Sequence, residues 1–152
     1  MNTALPPWRR KFARLAGLEA RDWRYLALAL LHLPRVSRAL GDRGLAAFPE
    51  LFTPARELPS PAQLAVARRI AGMVDLAAAR GPWRATCLVR SLVLARFLRA
   101  RGIPCQLEMG SRLDGDGDAR FSAHAWVRCG DAVLNDGVAN TRRYQAFQRR
   151  EP

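Results

Sequence analysis

The sequence predicts an α+β domain in which helices come first and an antiparallel β-meander follows. Three observations carry that expectation. Apolar residues recur at helical spacing up to about residue 101 and then switch to a period of two from Cys105 onward. Gly102 and Pro104 separate the two regimes, because Gly suits the position just past a helix and Pro cannot continue one. Hydrophobic residues make up 49% of the 152, enough for one domain with a real core and little more. The expected division is a basic arm over 1–21, a domain over 22–140 and a basic tail over 141–152.

Each element has its own signal. Asp22 is placed to N-cap a helix over 23–33, with Pro34 expected to kink or end it and a short helical piece reaching residue 40. Its apolar residues lie on nearly all sides, which marks a buried helix. Pro49, Pro54 and Pro59 make 41–60 a loop with one helical turn. Ser60-Pro61-Ala62-Gln63 combines an N-cap, a proline at the first helical position and a capping-box glutamine, and opens a helix to about residue 79. Leu64, Ala67, Ile70, Ala71, Val74 and Ala78 form its apolar face, with Arg68, Arg69 and Asp75 off it; Gly81-Pro82 breaks it. The next helix starts at Thr86 or Cys87 and runs to Arg101. Strands follow over 105–110, 121–129 and 132–136, joined by the loop Asp114-Gly115-Asp116-Gly117-Asp118 and by a tight turn at Gly130-Asp131. The tail from Thr141 is expected to be helical or frayed.

The composition excludes several classes of function. Net charge is +12, which raises the question of nucleic acid, but 24 of the 25 basic residues are Arg scattered along amphipathic stretches and Lys11 is the single Lys. No aromatic RNA-binding strand and no zinc-finger spacing accompanies them, so the charge is assigned to attraction for acidic peptides or acidic partner surfaces rather than specific nucleic-acid binding. Cys87, Cys105 and Cys129 are odd in number and lack metal-ligand spacing, which argues against a disulfide framework and for a reducing cytoplasm. The apolar run over 26–33 is far short of the ~20 residues of a membrane span, and no signal-peptide core lies in the first 20 residues. The loop aspartates at 114, 116 and 118 fail the calcium-loop pattern, since Ala119 and Ala125 stand where Gly and Glu are needed. No phosphate-binding Gly-rich loop is present. Neither cofactor nor metal is expected.

The candidate chemistry lies in Cys87, His124 and Asp136. A free Cys is most often a small buried hydrophobe, and Cys105 and Cys129 are read that way, as strand residues with no chemistry. Cys87 differs by position. Behind the N-cap Thr86 it occupies the first helical turn, where unpaired N–H groups and the helix dipole favour a thiolate and can stabilise an oxyanion. His124 sits between two alanines in an apolar strand, with room around its ring; the other His, His32, belongs to the first helix. Asp136 follows the next turn. In an antiparallel hairpin, His124 faces Asp136 only if opposite residue numbers sum to 260, which requires a three-residue loop Cys129-Gly130-Asp131 or a bulge. A two-residue turn sets Ala125 opposite Asp136 and turns the carboxylate to the wrong face. The order Cys on a helix start, His on a strand and Asp after the next turn is the layout of a papain- or transglutaminase-like cysteine protease fold, with the carboxylate orienting the imidazole.

With Cys87-Leu88-Val89-Arg90-Ser91-Leu92, Leu98-Arg99-Ala100-Arg101-Gly102-Ile103-Pro104, His124-Ala125-Trp126-Val127 and Leu134-Asn135-Asp136, the chain resembles the transglutaminase-like B2 proteins of lasso-peptide biosynthesis over residues 22–140. The resemblance implies a leader peptidase that cuts a ribosomally made precursor peptide and frees the N-terminal amine of its core. A separate asparagine-synthetase-like cyclase then uses ATP to join that amine to an acidic side chain. It implies Cys87 as nucleophile, His124 as general base and acid, and Asp136 as the orienting residue, and leaves Arg90 and Ser91 without a chemical role. Some members carry an N-terminal winged-helix leader-recognition domain; with about 20 residues before the first buried helix, this chain is expected to rely on a discrete leader-recognition protein. The residues alone leave open a transglutaminase or amidase that passes the acyl group to an amine, and a non-catalytic binding scaffold. A basic nucleic-acid-binding protein is the least favoured reading.

Overall fold

A computed structural model of the chain describes residues 17–114 and 120–146. Expectations for the arm over 1–16, the Asp/Gly loop over 115–119 and the residues from 147 onward lie outside the described residues. Helices come first: α1 Ala20–Arg43, α2 Pro61–Arg80 and α3 Cys87–Arg99. The strands β1 Gln106–Asp114, β2 Arg120–Cys129 and β3 Ala132–Val133 follow, then a single turn α4 Val138–Thr141 and a short β4 Gln145–Ala146. They form one antiparallel sheet in the order β3-β2-β1-β4. The architecture is the expected α+β arrangement with one strand added. Where a helical or frayed tail was expected, Thr141 closes α4 and the chain then returns to the sheet, β4 pairing Ala146 with Gly110 and Gln145 with Ser111.

α1 outruns its local signals. Glu19 is the N-cap and Asp22 stands at the third helical position, where the two close a reciprocal capping box. Pro34 lies inside the helix instead of ending it. A mid-helix proline costs about 3 kcal/mol. Leu33 and Val36 on either side are 0% and 2% exposed, and burying each such side chain is worth about 1.5–3 kcal/mol. Tertiary packing therefore outweighs the local break. Asp22 also reaches α2: Arg69 Nε and Nη2 donate to its two oxygens at 2.5 and 3.0 Å. The arginine thus serves as the α1–α2 tie.

α2 begins as its capping chemistry dictates. The Gln63 N–H donates to Ser60 Oγ at 3.2 Å and the Ser60 N–H donates to Gln63 Oε1 at 2.8 Å. Between α1 and α2, two 3₁₀ turns, Gly44–Ala47 and Pro49–Phe52, bury Phe48 and Leu51. Arg99 of α3 holds this segment, donating to the carbonyls of Glu50, Thr53 (2.5 Å), Leu51 (3.4 Å) and Cys105 (3.2 Å). Past α3, Gly102 takes φ +66, and the Ile103 N–H closes on the Leu98 carbonyl at 3.0 Å.

β1 and β2 pair Gln106 with Arg128 through to Gly110 with His124 and beyond. Leu107, Val127 and Cys129 join Leu33, Ile70, Val74, Leu92 and Leu98 in one core between the helices and a single face of the sheet. Alternation sends His124, Trp126 and Arg128 to the other face. β2 and β3 pair Cys129 with Ala132 and Arg128 with Val133. The turn is therefore the two-residue Gly130-Asp131, with Gly130 at φ +56, and not the three-residue loop of the sequence argument.

Candidate active site

The first element of the site is the start of α3. Thr86 N-caps the helix, its hydroxyl accepting from the Val89 N–H at 3.3 Å. Cys87 is the first helical residue and half-buried. Its sulfur therefore stands beside the N–H groups that no helical carbonyl can reach. The sequence places Cys87 there and the structure agrees.

His124 and Asp136 are brought together, by a route the hairpin arithmetic does not anticipate. β3 ends at Val133, and the last ladder bond beyond it runs from the Leu134 N–H to the Val127 carbonyl at 3.0 Å. The Asn135 side chain then takes the place of the backbone, its Oδ1 accepting from the Val127 N–H at 2.9 Å. The chain leaves the sheet there. Freed from the pleat, Asp136 turns back, and its Oδ2 accepts from His124 Nε2. The register rule assumes a regular ladder as far as residue 136, and that ladder stops three residues earlier.

Asp136 is held from several sides. Its carboxylate accepts from Asn140 Nδ2 at 3.1 and 2.9 Å and from the Gly137 N–H at 2.7 Å. Burial pushes its pKa up, but the Asn140 amide, the Gly137 N–H and His124 together outweigh burial and leave it below the usual carboxylate value. A carboxylate only accepts, so the shared proton sits on His124 Nε2. In the neutral ring Nδ1 then keeps its lone pair.

Two polar links tie α3 to this region. The Ser91 hydroxyl donates to the Ala125 carbonyl at 3.0 Å and accepts from Asn135 Nδ2 at 2.7 Å. Ser91 thus joins α3 to β2 next to His124 and anchors the asparagine that ends the ladder. Cys87 lies one helical turn from this joint on the same face of α3, and His124 lies one residue from it. Arg90, three residues after Cys87, pairs with Asp75 of α2 at 3.4 Å. Burial raises the Asp75 pKa against the pull of Arg90, and the nearby Asp136 charge raises it further. These links bring Asp75, Asp136 and His124 into one region, with Cys87 one helical turn along α3 from the Ser91 joint. No hydrogen bond joins the Cys87 sulfur to His124 or to any other described residue. The His–Asp half of the candidate triad is formed, and the Cys–His half is not.

An aromatic wall completes the site. The His124 ring lies 5.1 Å from that of Tyr144 and 6.0 Å from that of Trp126, centroid to centroid. Trp126 Nε1 donates to Glu108 Oε2 at 2.6 Å, which fixes the indole. Gly110, opposite His124, has no room for a side chain: a Cβ there would stand 2.9 Å from Tyr144 Cβ and 3.0 Å from Trp126. Asn140, Tyr144 and the roles of Asn135 and Gly110 escaped the sequence reading. Asn140 has a signal in retrospect, standing four residues after Asp136; the others depend on tertiary contacts. Among the described residues, no cluster of three or more His, Cys, Asp or Glu could hold a metal ion, and no helix is long and apolar enough to cross a membrane.

The chain matches the Transglutaminase-like superfamily over residues 27–149 and belongs to that superfamily. No curated protein and no solved structure matches the chain significantly.

Proposed function

From membership of the transglutaminase-like superfamily, we propose that this protein is a cysteine peptidase that removes the leader from a ribosomally synthesised lasso-peptide precursor. The observation that supports it best is the His124–Asp136 pair, which engages Nε2 and leaves Nδ1 bonded to no other described residue, in a superfamily member whose third helix begins at Cys87. In this reading Nδ1 takes the Cys87 proton as substrate binds; bonds of this kind are often long in an unliganded enzyme and tighten in the complex. The thiolate attacks the scissile carbonyl carbon, and the N–H groups at the start of α3 stabilise the oxyanion. His124 returns its proton to the leaving amine, which is the new N-terminus of the core. Water, deprotonated by the same imidazole, then opens the thioester and frees the leader. Asp136 orients the ring and stabilises its charged form.

The reading places the protein in the cytoplasm with two partners, a discrete leader-recognition protein and an ATP-dependent asparagine-synthetase-like cyclase. The chain itself needs no cofactor, nucleic acid or membrane span. The test is to combine it with a precursor peptide and those partners and to follow products by mass. Leader release with gain of one water, lost in Cys87→Ala, is the expected result. A product joined to an amine without gain of water identifies an acyltransferase. Unchanged processing by Cys87→Ala identifies a scaffold.

A further inference from the structure

Two cysteines remain outside the candidate site. One step beyond the Gln106–Arg128 pair, the β1–β2 register sets Cys105 opposite Cys129. Directly opposed residues of an antiparallel pair have Cα atoms about 4.5–5.5 Å apart, and disulfides form at Cα separations of about 4.4–6.8 Å. Both side chains point into the same core, at 2% and 1% exposure. Both cysteines are unoxidised here, and the Cys105 thiol donates to the Ala95 carbonyl at 3.8 Å. Each also borders a surface groove through which a small oxidant can arrive: Cys105 one of about 330 Å³, Cys129 one of about 380 Å³.

We propose that Cys105 and Cys129 are a modification site: a vicinal cross-strand dithiol that hydrogen peroxide converts to an intramolecular disulfide within the folded domain. The proposal is independent of the peptidase reading. The roles of the two thiols differ. The Arg99 guanidinium, which donates to the Cys105 carbonyl at 3.2 Å, favours a thiolate at Cys105, whereas burial disfavours one at Cys129. Cys105 is therefore the thiol that reacts first. Its thiolate sulfur attacks one peroxide oxygen, the O–O bond breaks, and hydroxide leaves, giving a sulfenic acid. Cys129 sulfur then attacks the Cys105 sulfur. The S–S bond forms, the S–O bond breaks, and the departing hydroxide takes the Cys129 proton to become water. Two thiols lose two electrons and two protons, and one peroxide becomes two waters. The register sets the two residues opposite each other, at a Cα spacing of the kind that disulfides span. Arg99 fixes the Cys105 carbonyl from the helix side at 3.2 Å.

The test uses the folded full chain. It is treated with submillimolar hydrogen peroxide, its free thiols are blocked with N-ethylmaleimide after unfolding, and tryptic fragments are mapped without reduction. The proposal expects the peptides spanning 102–112 and 129–142 to be recovered as one disulfide-linked species. That species should vanish in Cys105→Ser and in Cys129→Ser and survive in Cys87→Ser. The oxidised chain should also melt several degrees above the reduced one, since the cross-link restrains the unfolded state. Recovery of both peptides carrying the blocking group, or cross-links dominated by Cys87, overturns the proposal, as does a lower melting temperature after oxidation. The wild-type map decides alone if a serine variant fails to fold.

Discussion

Asp22 and Asp136 are both carboxylates held below the usual range, and their partners set them apart. Asp22 is 2% exposed and accepts two hydrogen bonds from Arg69 across the α1–α2 contact. The Arg69 contact lowers its pKa first, against burial. Asp136, with its side chain 15% exposed, is fixed by Asn140 and Gly137 and directs its remaining capacity at His124. A guanidinium never gives up its proton at ordinary pH, so the first pair can only hold two helices together. An imidazole nitrogen can both give up and accept a proton, so the second pair can serve chemistry. The same residue type, held by comparable geometry, belongs to the fold in one place and to the candidate reaction in the other.

The contrast can be broken in three ways. The largest effect on stability is expected from Asp22→Asn, which leaves Arg69 without its main partner. The melting temperature should fall by roughly 10 °C, while alkylation of Cys87 per folded molecule stays as in wild type. If Asp136→Asn lowers the melting temperature as much, Asp136 is a structural anchor and the distinction fails. Gly110→Ala should cost about 1–3 kcal/mol by overpacking, because the new Cβ meets Tyr144, Gln145 and Trp126. It should also shift the ring-proton resonances of His124, measured by NMR, since its aromatic neighbours must move. An unshifted His124 spectrum would show that the wall does not position the ring. The smallest effect is in acid. A depressed folded-state pKa contributes stability that is whole above the ordinary Asp value of 3.8 and is lost as pH falls through the folded value. The stability that Asp22 contributes should therefore be level from pH 7 to about pH 5 and be lost below about pH 4, so unfolding free energy should fall more steeply there in wild type than in Asp22→Asn. Equal slopes would remove Asp22 from the account.

How much of this was legible in the sequence depends on the range of the forces involved. The Ser60–Gln63 capping box, the Thr86 cap and the Gly102 stop are decided within four residues, and they stand where the sequence places them. Pro34 reads as a kink or a helix end, and the helix does not end there, because the burial of Leu33 and Val36 is a tertiary fact. Cys87 at the helix start was visible in the same local way. The approach of Asp136 to His124 was expected, but for a reason that does not hold. The two-residue turn should have separated them, and Asn135, anchored 44 residues away on Ser91, breaks the ladder and lets Asp136 return. β4 is two residues long and has no periodicity to read.

The central claim is that the His124–Asp136 pair activates Cys87. The direct measurement is the rate of Cys87 alkylation by iodoacetamide near neutral pH, read by intact mass in wild type, Cys87→Ala, His124→Ala and Asp136→Asn. The account predicts fast single labelling in wild type, none of it in Cys87→Ala, and slower labelling in both His124→Ala and Asp136→Asn. Equal Cys87 rates in wild type, His124→Ala and Asp136→Asn would contradict it.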